Sequence, residues 1–135
     1  MEAAKILLIE DDPLVLSALA TVLEFRGFEV SATANGQEAV GMLGSFRPDV
    51  LITDMVMPEM DGVELIKKVR SQGRDIPILA ISGLGPEDGE LYLRLAQKIG
   101  ADAVLRKPVK GDVLVSAIRR LLDGRHAVQR GASIP

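Results

Sequence analysis

The feature that most restricts how this chain can fold is a strict alternation of two hydrophobic periods. Five short apolar runs read as buried strands. They are Lys5 to Glu10, Phe28 to Thr33, the run Val50-Leu51-Ile52 ending at Asp54, Ile76 to Ile81, and Asp102 to Arg106. Each is followed by a segment whose apolar residues recur at helical spacing. Val15, Leu19, Val22 and Leu23 mark the first helix and Ala39, Met42, Leu43 and Phe46 the second. Leu65, Ile66 and Val69 carry the third to about Gln72; Tyr92, Leu95, Ala96 and Ile99 mark the fourth. The fifth, from about Asp112, has the cleanest period, with Leu114, Ala117, Ile118, Leu121 and Leu122. Strand and helix in strict turn predict an α/β fold with a parallel sheet covered on both faces. From Gly124 to Pro135 no period is visible, so residues 124–135 read as a flexible tail behind one domain over 1–123.

Boundary residues agree with this division. Asp12-Pro13 reads as an N-cap with proline at the first helical position. Asn35 and Asp61 are each followed three residues later by a glutamate, Glu38 and Glu64, the pattern of a capping box. Gly27 and Gly100 are placed to stop the first and fourth helices.

Chemistry gathers where the strands end. Glu10, Asp11 and Asp12 follow the first run, Asp54 the third, Ser82 the fourth and Lys107 the fifth. Open parallel sheets bind their ligands at the carboxyl ends of strands. A carboxylate at the end of a buried strand is costly unless it is paired. Close carboxylates at such an edge repel by a few kcal/mol per pair, on the order of what a hard divalent cation with oxygen ligands removes. Asp12 is better read as a helix cap than as a ligand, because Pro13 follows it. His126, the only histidine, lies in the tail and reads as a surface residue. The five methionines do not form a soft-metal set.

Composition excludes several classes. A net charge of −3 argues against direct nucleic-acid binding. Without cysteine there is neither disulfide nor thiolate metal site. No apolar run approaches the ~18 residues of a membrane span and no signal-peptide pattern opens the chain, which reads as cytoplasmic.

Four groups taken together, Glu10-Asp11-Asp12-Pro13, Asp54 with Met57-Pro58-Glu59-Met60-Asp61-Gly62, Ser82-Gly83, and Gly100-Ala101-Asp102 leading to Lys107-Pro108, resemble the receiver domain of bacterial two-component response regulators, the CheY-like superfamily. The resemblance covers residues 5 to 123. It implies a flavodoxin-like (βα)5 three-layer sandwich with a five-stranded sheet of order 2-1-3-4-5. It further implies that Asp54 accepts a phosphoryl group from a sensor histidine kinase or a histidine phosphotransfer protein, with Mg²⁺ bound beside it. Asp11 would bind the metal directly, Glu10 through water, Asp54 itself as a further ligand, and Val56 through its backbone carbonyl. Ser82 would hydrogen-bond the phosphoryl group. Lys107 would neutralise charge, with a cis peptide before Pro108. Output would run through the face of the fourth helix, fifth strand and fifth helix, to a downstream protein or to an output domain absent from this chain. The protein would be no enzyme beyond catalysing its own phosphorylation and dephosphorylation.

Alternatives fit less well. A dehalogenase-type phosphatase needs a second aspartate two residues after the nucleophile, where Val56 stands. A nucleotide or flavin binder would need a glycine spacing that Gly83, Gly85 and Gly89 miss, and no Walker sequence exists. A scaffold that has lost its chemistry is at odds with the intact set of Glu10, Asp11, Asp54, Ser82 and Lys107. The chain departs from the family in its longer, glycine-rich Ser82–Lys107 segment and in Val104, where an aromatic residue is common three positions before the lysine.

Overall fold

The structure, a computed structural model, describes residues 3–55, 57, 61–83 and 86–129. Strands β1 (Lys5–Ile9), β2 (Glu29–Thr33), β3 (Val50–Asp54), β4 (Ile78–Ser82) and β5 (Ala103–Arg106) alternate with helices α1 (Pro13–Phe25), α2 (Gly36–Phe46), α3 (Gly62–Ser71), α4 (Pro86–Ile99) and α5 (Gly111–Gln129). The strands form one parallel sheet of order β2-β1-β3-β4-β5. The flavodoxin-like expectation is thereby met.

Side chains of successive strand residues point to opposite faces, so each strand feeds two cores. Leu7, Ile9, Leu51, Ile78 and Ala80 pack with Leu43, Leu65, Ile66 and Ala96 under α2, α3 and α4. Ile6, Leu8, Val50, Ile52, Leu79 and Ile81 pack with Leu19, Leu23, Leu114 and Ile118 under α1 and α5. The central strands β3 and β4 are buried along their whole length, which is why their sequences are unbroken apolar runs rather than alternating ones.

The caps act as read from the sequence. The Asp12 side chain accepts from the N–H groups of Leu14 and Val15, that of Asn35 from Gln37 and Glu38, and that of Asp61 from Glu64. Gly27 follows the C-cap of α1 with φ +94°, a left-handed conformation that favours glycine. Two boundaries differ by more than one residue. β4 begins at Ile78 rather than Ile76, so Pro77 stands just outside the strand while its carbonyl still accepts from the Leu51 N–H. The tail expected from Gly124 is corrected over its first part, because α5 continues to Gln129. One glycine costs a helix only about 1 kcal/mol relative to alanine, and Arg125 to Gln129 contain no breaker.

At the edge of the sheet away from the strand C-termini, one cation ties α3 to the starts of β4 and β5. Arg70, near the end of α3, donates to the carbonyls of Gly100, Arg74 and Ile76 and to the Asp102 carboxylate, over 2.7–3.1 Å. The same Asp102 oxygen accepts from the Ile78 N–H at 2.9 Å. Gly100 has φ +126°, and a Cβ there would stand 2.9 Å from the Arg70 side chain. Arg70→Ala would leave several carbonyls without donors. We expect it to lower stability by about 2–4 kcal/mol, read from urea unfolding, with the fold retained.

Candidate functional site

Register alone brings the strand-end residues together. Ile9 pairs with Thr33 and Thr53, Asp54 with Ile81, and Ser82 with Arg106. The ladder continues one step beyond: the Glu10 N–H donates to Thr33, Met55 to Ile81 and Lys107 to Ser82. Glu10, Asp54, Ser82 and Lys107 therefore lie side by side at one edge, each fixed by its own strand.

Three of them are almost wholly buried: Glu10 is 2% exposed, Asp54 5% and Ser82 1%. The Lys107 ammonium answers the resulting charge. Its Nζ donates to Glu10 Oε1 at 2.6 Å and to Asp54 Oδ2 at 2.8 Å. Glu10 Oε2 also accepts from the Asp12 backbone N–H at 3.1 Å. Carboxylate oxygens of Glu10, Asp11 and Asp54 lie within 4.8 Å of one another. One lysine against three carboxylates leaves the cluster negative, and oxygen donors so close are the kind that hard divalent cations take.

Burial pushes the Glu10 carboxyl up to about 6, against the opposing pull of its hydrogen bond to Lys107; the Asp54 charge adds to the rise. Burial works to lower Lys107, but hydrogen bonding to Asp54 and Glu10 outweighs it and the amine is held above its ordinary value. The lysine is thus kept charged, and the carboxylates are kept in need of a second positive group.

Two glycines set the walls. A Cβ on Gly62 would fall 2.5 Å from the Asp54 carbonyl oxygen and 2.7 Å from Met55 Cα, so only glycine lets α3 start against the backbone just beyond Asp54. The Gly62 N–H donates to the Met55 carbonyl at 3.0 Å. A Cβ on Gly83 would lie 3.1 Å from Lys107 Cδ, so Gly83 leaves the lysine stem its path to the carboxylates. The peptide between Lys107 and Pro108 is cis.

The structure brings together Glu10, Asp11, Asp54, Ser82 and Lys107. It puts Asp12 to work as a helix cap and places Val104 half-buried in β5 against the core under α4. Val56 lies outside the described residues, as do Leu84 and Gly85 of the glycine-rich loop. Sequence reasoning missed the bridge from Lys107 to Glu10, because nothing in the spacing says how far a lysine reaches. It also missed the contact of Gly62 with the acceptor strand, whose only signal was a glycine directly after a capping aspartate.

The family profile of the response regulator receiver domain matches residues 6–119, and the chain belongs to that family. Over 120 residues it is 36% identical to the response regulator MprA of Mycobacterium bovis, covering 89% of this chain and 51% of that one. The chain therefore spans about half the length of the curated relatives it matches. Among solved structures, a CheY-like receiver domain protein from Methanospirillum hungatei superposes with a TM-score of 0.83 at 26% identity, covering 93% of this chain and 98% of that one. The signal receiver domain of a signal transduction histidine kinase from Syntrophus aciditrophicus gives a TM-score of 0.80 at 37% identity, covering 90% and 92%. A receiver domain of a two-component phosphorelay is phosphorylated on an aspartate and changes its output state, and catalyses only its own phosphorylation and dephosphorylation. Family membership sets aside the phosphatase and nucleotide-binding readings. Among the described residues no helix is long and apolar enough to cross a membrane.

The raised Glu10 carboxyl has a measurable consequence. Between its ordinary 4.5 and about 6 the folded, metal-free protein holds a proton that the unfolded chain has released. Glu10 therefore makes stability fall as pH rises through that window. Urea unfolding of wild type and Glu10→Gln across this range should show the decline in wild type in excess of that in the variant.

Proposed function

We propose that Asp54 is the phosphoacceptor of this receiver, that a divalent cation, Mg²⁺ by preference, is held beside it, and that Ser82 and Lys107 receive the transferred group. The observation that carries the reading is the Lys107 ammonium held between Glu10 and Asp54 at the carboxyl edge of the sheet. An ionised carboxylate is itself the nucleophile and needs no general base. Phosphoryl transfer depends on positioning and on neutralising charge on the equatorial oxygens. Lys107 supplies one positive group from the protein; a bound cation would supply the other. Asp11 would ligate it directly and Glu10 through water, with the Val56 carbonyl as a further donor, and its contribution is charge neutralisation on the transferring oxygens. Ser82, buried at the end of the neighbouring strand, would donate to the phosphoryl group once formed.

The phosphoryl source is a sensor histidine kinase or a histidine phosphotransfer protein. Output runs through the face of α4, β5 and α5, to a downstream protein or a further domain. Ser82 and Lys107 lie at the edge of that face, so a change at either reaches it directly. Val104 is short and stiff at χ1. It cannot swing between buried and exposed positions as a long aromatic side chain does, which shifts the reading of the signal to the backbone after Ser82.

Incubation with Mg²⁺ and acetyl phosphate should add one phosphoryl mass to the wild type. EDTA should prevent it. A phosphoryl group gained by Asp54→Asn at the wild-type rate would sink the assignment. Mg²⁺ titration should show severe loss of affinity in Asp11→Ala. Asp12→Ala should keep its affinity and lose about 0.5–2 kcal/mol of stability, as for a lost helix cap. Because Glu10 takes up a proton near pH 6, affinity should weaken several-fold as pH falls from 7.5 to 5.5. With beryllofluoride as the phosphoryl mimic, amide chemical shifts should change most from Gly83 into α4 and least on α2. Changes restricted to α1 and α2 would count against the output face.

A further inference from the structure

We infer that Thr53 is a positioning residue for the phosphoacceptor: its hydroxyl fixes the peptide unit that follows Asp54, and through it the path of the chain toward the proposed metal donor at Val56. This rests on the reading of Asp54 as acceptor and adds a residue that the reading does not use. Thr53 is fully buried. The strand residues before it, Val50, Leu51 and Ile52, are all aliphatic. Side chains alternate along a strand, so Thr53 shares the face of Leu51 and Met55, in the core under α2, α3 and α4, and Asp54 shares that of Val50 and Ile52. The Thr53 hydroxyl thus lies across the sheet from the Asp54 carboxylate. Valine would fill nearly the same space and suits a strand as well, without burying a hydroxyl. A buried hydroxyl is tolerated where it has a hydrogen-bond partner.

That partner is the acceptor's own backbone. Thr53 Oγ1 donates to the Asp54 carbonyl at 2.9 Å. This carbonyl and the Met55 N–H belong to one planar peptide unit. The N–H donates to the Ile81 carbonyl at 2.8 Å. Both polar groups of the unit are thus held, one by β4 and one by Thr53. On the side of β1 the paired register ends at Ile9 with Thr53, so the Asp54 carbonyl lies past the last pair there. Gly62 closes the arrangement. A Cβ on it would fall 2.5 Å from the same carbonyl oxygen, and its N–H donates to the Met55 carbonyl at 3.0 Å. A turn of the Asp54–Met55 unit therefore breaks a hydrogen bond or drives the oxygen against the start of α3. Two successive peptide units beyond the acceptor are fixed in this way, and the second leads directly to Val56. Groups that orient a ligand without touching the metal change affinity or activity by about ten- to a hundredfold when lost.

Phosphorylation by acetyl phosphate, Mg²⁺ titration and urea unfolding of wild type, Thr53→Val and Thr53→Ser test the inference. Thr53→Val keeps the shape and loses the donor. It should bind Mg²⁺ several-fold more weakly and, at saturating Mg²⁺, gain the phosphoryl group about tenfold more slowly. Thr53→Ser keeps the donor and loses a buried methyl. It should unfold at lower urea than wild type, as a residue that leaves a small cavity does, yet bind Mg²⁺ and react as wild type does. Affinity and rate should therefore follow the hydroxyl and not the urea midpoint, which a merely structural role of Thr53 does not produce. A wild type phosphorylated on Asp54 beside a Thr53→Val protein with the same affinity and rate overturns the inference and leaves the acceptor in place. So does an equal loss in Thr53→Val and Thr53→Ser, which assigns the effect to side-chain shape. A phosphoryl group gained by Asp54→Asn at the wild-type rate removes the acceptor itself, and the inference with it.

Discussion

Everything distinctive about this molecule follows from burying acid groups at the edge of an apolar sheet. Glu10 and Asp54 are enclosed by strands whose other side chains are almost all aliphatic. Charge in such a place is tolerated only when it is answered. One answer is built in: Lys107, just past the end of β5, touches both carboxylates. That answer is incomplete, and the incompleteness is the chemical capacity of the site. A cluster fully neutralised by the protein would have no reason to accept a cation or a phosphoryl group.

Much of the fold was legible because local and global signals agreed. Each helix interval had an apolar stripe, three were announced by a capping Asp or Asn, and every strand but the alternating β2 was a short apolar run. Departures came where sequence signals are weak. Ile76 looks like strand but precedes Pro77, and the chain joins the ladder only after it. Gly124 looks like a stop, yet a lone glycine does not outweigh the helix formers around it. The identity of the site residues was legible for a topological reason: in a parallel sheet every strand ends at the same edge, so polar residues at run ends must be neighbours. Their pairings were not legible, since hydrogen-bond partners depend on reach and rotamer. The Lys107–Glu10 bridge and the seat of Gly62 against Asp54 exist only in three dimensions.

The two sides of the sheet also differ in how their helices are finished. α2, α3 and α4 cover one core, and the described part of α4 buries little beyond Ala96. α1 and α5 cover the other, and α1 keeps Leu14 and Phe25 largely exposed on its outer surface among the described residues.

The tie at Arg70 bears on which positions of this chain can drift in evolution. Three of its four partners are backbone carbonyls, those of Gly100, Arg74 and Ile76. Every residue type offers that same oxygen, so the side chains at 74 and 76 may be exchanged without touching the tether. Positions 70 and 100 have no such latitude. One must supply a long forked cation and the other must have no side chain at all. Drift in this corner of the molecule is therefore confined to an all-or-none pair, in which a long donor and an absent Cβ have to be inherited together.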